Sequence, residues 1–177
     1  MNNNSQHFFI SLLITSLFLI LSDILVSTLF PLVGLESFRV SIVVLIILYL
    51  AFYFNNILIA PLIAYFYFLH GIFSLEYWSV GVLSCLSVSI IISTLRNVIH
   101  LNNKLVTIIF VQLFQIIIYG ISRLIIYLKL GDGDFVINSL SLFIPESIFI
   151  SLMSPFIFQA FHRIWKITPG ELDKVVG

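Results

Sequence analysis

Asp23 stands in LFLILSDILVSTLF, residues 17–30, where its neighbours on the amino side are apolar or small back to Leu17. A carboxylate among hydrocarbon side chains pairs with a cation, lines water or serves a ligand. Arg123 is the other charge far from the end of an apolar run, in QLFQIIIYGISRLIIYL, residues 112–128. Asp23 and Arg123 therefore form a candidate intramembrane charge pair. The alternatives are an Arg123 that snorkels to headgroups and an Asp23 that meets water. Gln112, Gln115, Tyr119 and Ser122 recur at spacings of three and four beside Arg123, which places them on one helical face. Lipid cannot satisfy such a face, so it looks into a bundle as helix glue or as a binding surface. Ser122 and Tyr119, with Glu146 at the start of a later apolar run, make a candidate polar cluster on the outer side.

No catalytic pattern accompanies these groups. His7, His70, His100 and His162 are dispersed and share no metal-ligand spacing. Cys85 is the sole cysteine and reads as a small buried apolar residue. The run GDGD at 131–134 lacks the third ligand and the glycine of a calcium loop, so it reads as a turn. There is no G-x-S-x-G, H-E-x-x-H or P-loop. Catalytic, cofactor and metal residues are expected to be none, and the chain is not expected to be an enzyme. An intramembrane enzyme is the least favoured alternative.

Composition decides what positions these residues. Of 177 residues, 60% are hydrophobic and 9% are charged, with a mean hydropathy of +1.17. A soluble domain carries about 25% charged residues to wet its surface, so the expectation is an all-α integral membrane protein. Eight Lys and Arg balance eight Asp and Glu and lie scattered, which gives no footprint for nucleic acid. Spanning needs about 20 apolar residues, and six stretches qualify, roughly 8–31, 38–54, 57–75, 77–95, 105–128 and 143–165. The amino terminus MNNNSQH has no basic n-region, so the first span is expected to persist in the mature protein. Asn55-Asn56 makes a tight turn between the second and third spans, and Pro145 opens the sixth with Glu146 and Ser147 in its first turn. Pro155 is expected to kink it.

Basic residues set the orientation. With a cytoplasmic amino terminus, Arg96, Lys104, Arg163, Lys166 and Lys174 fall inside. Arg39 and Lys129 fall outside with Glu36, Glu76, Asp132 and Asp134. Both termini are then cytoplasmic. One six-helix domain covers 1–167, and 168–177 is a short cytoplasmic tail in which Thr168 and Glu171 match a capping box. On the fourth span, Gly81, Cys85, Ser89 and Ser93 recur every four residues. Such a small-residue stripe favours close helix packing over a substrate groove.

From Phe38 onward the order of features resembles the rod shape-determining protein MreD family. FRVSIVVLIILYLAFYFNN looks like that family's second helix and its short turn. APLIAYFYFLHGIFSLEYWSVG is similar to its third helix and the link to the fourth. STLRNVIHLNNKLVTIIF resembles its basic cytoplasmic loop, and PESIFISLMSPFIFQAFHRIWKI its terminal helix. The likeness covers about 130 residues. Where the family commonly carries an aspartate and glycines at the end of the third helix, this chain has His70, Tyr and Phe. The resemblance implies a non-catalytic scaffold of the cell-elongation machinery in the bacterial inner membrane, a multi-pass protein surrounded by membrane lipid. Its implied partners are MreC and, through it, MreB, RodA and a penicillin-binding transpeptidase. The implied fold is similar to the substrate-binding subunit of energy-coupling-factor transporters, which supplies the alternative function: a subunit for vitamin-type uptake. That transporter family docks its partner through Ala-x-x-x-Ala on the first helix. Here the spacing occurs as Ala60 and Ala64 in the third span, and the first has no alanine.

Overall fold

The computed structural model describes residues 3–32, 34, 41–54, 59–74, 78–96, 101, 103–131 and 133–165. Several sequence expectations lie outside them: the Asn55-Asn56 turn, Glu36, Arg39, Glu76, Asp132, Lys166, Lys174, the capping box and the tail. The Asp134 side chain is outside them too. Among the described residues all regular structure is helical: α1 (Asn3–Leu32), α2 (Ile42–Tyr53), α3 (Ile59–Phe73), α4 (Trp78–Leu95), α5 (Lys104–Leu130) and α6 (Gly133–Trp165). Four helices contain segments long and apolar enough to cross a membrane: Gln6–Leu32, Trp78–Leu95, Lys104–Lys129 and Ser139–Trp165. The protein is thus a multi-pass membrane protein by the length and composition of its helices.

Local chemistry explains the boundaries. α1 runs to Leu32, one residue after Pro31. Gly34 then takes a left-handed φ of 77° and returns its N–H to the Pro31 carbonyl at 3.2 Å. α5 begins where the Asn103 side chain accepts from the Leu105 N–H at 3.0 Å. It ends at Gly131, which adopts a left-handed φ of 71° and donates to the Tyr127 carbonyl. The expected turn after Lys129 is therefore this helix cap. The sixth helix begins earlier than the expected residue 143: α6 starts at Gly133, and Pro145 lies inside it rather than opening it. Pro155 also lies inside, and its missing N–H would have reached the Ser151 carbonyl. Ser154 Oγ donates to that oxygen instead, at 2.7 Å, so the helix passes through its proline without an orphaned acceptor.

α2 is the centre. Its sequence IVVLIILYLAFY is apolar all round, and such a helix is buried all round. Eight of its twelve residues are buried, and all five other helices pack against it. Tyr49, Phe66, Phe114 and Phe161 fill the space about it. At 1.5 Å per residue α2 is about 18 Å long, short of the roughly 30 Å hydrocarbon core. The start of α1 and the end of α6 sit side by side. Ser11 Oγ donates to the Ile164 carbonyl at 2.9 Å, and Trp165 Nε1 donates to Thr15 Oγ1 at 3.0 Å. Phe8 and Phe54 both meet the Trp165 ring edge-on, so the end of α2 lies at this same end of the bundle.

Candidate functional site

Asp23 is buried, and its Oδ2 lies 2.9 Å from Nδ1 of His70. The expected Asp23–Arg123 pair is corrected here. Helix adjacency gives the reason: α1 packs on α2, α3 and α6, whereas α5 packs on α2, α4 and α6. Among the described residues α1 and α5 are not packed neighbours, and the Asp23 carboxylate is taken by His70 from the adjacent α3. His70, in the last turn of α3, reaches Asp23 because α1 and α3 start from the same end and run side by side. A carboxylate and an imidazole satisfying one another cost far less in an apolar interior than either alone.

His70 also meets the Tyr67 ring edge-on at 6.2 Å between centroids. The Tyr67 hydroxyl lies 3.5 Å from Cys85 Sγ on α4, and the Tyr67 ring lies flat against Gly81, where any Cβ would collide with it. This is where the small-residue stripe acts. Gly81, Cys85 and Ser89 face the bundle, and Cys85 is wholly buried. Ser93 is exposed, so the stripe is three residues long and Ser93 is not part of it. Ser16 on α1 completes the α1–α3 contact through the Tyr65 hydroxyl at 3.1 Å.

A second set of polar contacts ties α5 to α6 and α4. Gln112 Nε2 donates to Ser147 Oγ at 3.1 Å, and Ser151 Oγ donates to Gln112 Oε1 at 2.7 Å. The Tyr119 hydroxyl bonds Ser139 Oγ at 2.7 Å, and the Tyr119 ring stacks on Phe143 at 4.0 Å. Arg123 lies over the other partner of this stack, 4.9 Å from the Tyr119 centroid. Ser122 Oγ donates to Ser84 Oγ on α4 at 2.8 Å. Of the expected outer cluster, Tyr119 and Ser122 are therefore on one helix but serve two different neighbours. Glu146 is partly buried in α6 and has partners of its own. Gln115 faces the core, 3% exposed, and its amide finds no hydrogen-bond partner among the described residues.

The sequence reading missed His70, Ser16, Tyr65 and the hydroxyls of Ser84, Ser147 and Ser151. His70 had a usable signal: in an alternating topology it falls in the outer half of the third span, as Asp23 does in the first. Among the described residues no group of three His, Cys, Asp or Glu side chains could hold a metal ion.

On the bundle's outer surface, α5 and α6 enclose a groove of about 600 Å³. Its walls are Ile108, Ile109, Leu113, Ile116, Ile148 and Leu152, with Gln112 and Ser151 at its floor. No protein family, no curated protein and no solved structure matches the chain.

Proposed function

We propose that this chain is a non-catalytic membrane scaffold that binds partner membrane proteins through its helix faces. The supporting observation is the filled centre. An uptake subunit needs a cavity of ~300–1,000 Å³ for its ligand. Here the middle of the bundle is occupied by α2 and the rings of Tyr49, Phe66, Phe114 and Phe161. Most polar contacts of α1, α3, α4, α5 and α6 join one helix to another, as they do in a body built to keep its shape. The resemblance to the MreD family extends this reading to cell elongation in a bacterial inner membrane, with MreC as the direct partner and MreB, RodA and a transpeptidase behind it. All six helices then lie within the membrane, the short α2 shielded from lipid by its neighbours while α3 turns Phe68 and Ile72 outward, and both termini are cytoplasmic.

Depletion of the protein in a rod-shaped host tests the function: cells should round up. Unchanged shape with a new vitamin requirement would overturn the scaffold and favour the uptake subunit. Gln115 is the observation on that alternative's side, a buried amide with unspent hydrogen-bonding capacity. Reporter fusions after Lys104 and Lys166 should read as cytoplasmic and one after Asp134 as external. An external signal at Lys166 contradicts the topology.

A further inference from the structure

We propose that the α5–α6 groove is a binding site for one acyl chain of an anionic phospholipid, whose phosphate sits between Lys104 and Arg163. The inference rests on the membrane placement of the helices and not on the scaffold reading.

Length is the first argument. The lining residues of α5 run from Ile108 to Ile117, about 14 Å along the axis at 1.5 Å per residue. That is roughly half of a 30 Å hydrocarbon core, the depth of one leaflet. A groove of one leaflet's depth suits a lipid chain. A partner helix crossing the whole membrane would overrun it.

Charge is the second. Lys104 precedes Ile108 and Gln112 at intervals of four on α5, so it stands at the end of the groove, exposed. Its Nζ rests 5.9 Å from the Phe156 ring of α6, which keeps it over the seam between the helices. On α6 the stripe of Ile148, Leu152 and Phe156 continues through Gln159 to Arg163, also exposed and in the last turn. Two cations thus stand beyond the same end of an otherwise uncharged groove, Lys104 level with Phe156 and Arg163 roughly 10 Å further along α6, so that their long side chains bracket the place of a headgroup. A cation pair beside a seam between spanning helices is the chemistry that recognises a lipid phosphate. Gln112 and Ser151 at the floor add hydrogen-bonding groups to an apolar wall, and Gln112 retains a second N–H beyond the one given to Ser147.

The test uses the full chain in detergent and native mass spectrometry, with phosphatidylglycerol and phosphatidylcholine of identical acyl chains. The wild type should retain one phosphatidylglycerol at least about ten-fold more tightly than phosphatidylcholine. Lys104→Gln and Arg163→Gln should each weaken retention about five-fold, and together they should abolish the preference. Ile116→Trp, at an exposed wall position, should fill the groove and release both lipids. Melting curves of the variants should match the wild type, because all three side chains are exposed.

Equal retention of the two lipids, or a preference that survives the double neutralisation, overturns the proposal. So does competition by glycerol phosphate as strong as that by the lipid, since the apolar walls would then contribute nothing. If Ile116→Trp instead converts a dimer to a monomer and leaves lipid retention unchanged, the groove seats a second copy and the proposal is likewise overturned.

Discussion

At the α1–α3 contact, two ionisable side chains 47 residues apart in sequence face each other in an apolar interior. At the α5–α6 contact, the work of Asp23 and His70 is shared among amides and hydroxyls: Gln112 with Ser147 and Ser151, and Tyr119 with Ser139. The difference lies in what failure costs. A lone amide in a bundle can turn to a neighbouring carbonyl or hydroxyl. A lone carboxylate has no comparable substitute and strands a charge. The first contact is therefore all-or-none, and the second is graded.

The largest expected effect follows from this contrast. His70→Leu, which strands the buried carboxylate, should cost about 3–5 kcal/mol of stability, and Asp23→Leu, which leaves an imidazole unpaired, about 1–3 kcal/mol, both seen as lost folded yield in detergent, while the double change recovers most of the loss. Additive losses would mean that the two residues do not act as a pair. Next comes the seat of α3 on α4. Gly81→Ala pushes a methyl into the Tyr67 ring and should cost about 1–3 kcal/mol. Gly120→Ala meets nothing within 4 Å and should gain up to about 1 kcal/mol from helix propensity. Thermal melts of the two variants should move in opposite directions. The smallest effect belongs to α5–α6: Gln112→Leu should cost about 0.6–1.7 kcal/mol. Gln115→Leu, which removes an amide with no partner among the described residues, should be neutral or stabilising. A Gln112 loss as large as that of His70 would erase the distinction between the two contacts.

The elements were legible and the pairings were not. Apolar runs located six helices, and the expected 77–95 and 105–128 lie within a residue or two of α4 and α5. Composition shows this because lipid imposes a length and a polarity on every segment it touches. The start of α6 was misread. Pro145 and the glycines of GDGD look like a boundary, but Gly131 caps α5 and α6 already begins at Gly133. The partner of Asp23 was misread for a different reason. Opposite charge picks Arg123, whereas the arrangement of helices picks His70. Hydropathy says nothing about which helix stands beside which. The stripe on α4 was legible down to Ser89, because small residues bury where a bulky ring such as Tyr67 leans on them. Ser93 has the same spacing but is exposed among the described residues.

The contact between Trp165 and Thr15 joins residues 150 apart, the first helix and the last. Synthesis proceeds from one to the other, so α1 waits in the bilayer while α2 to α6 are made. Its wide apolar face, with Leu13, Leu17, Leu21 and Leu25 exposed, lets it wait there without harm. His70 arrives midway and gives Asp23 its partner early. Until α6 emerges, the Thr15 and Ser11 hydroxyls donate to α1's own carbonyls, those of Ser11 and His7, and their bonds to Trp165 and Ile164 close the ring of helices once α6 has joined it.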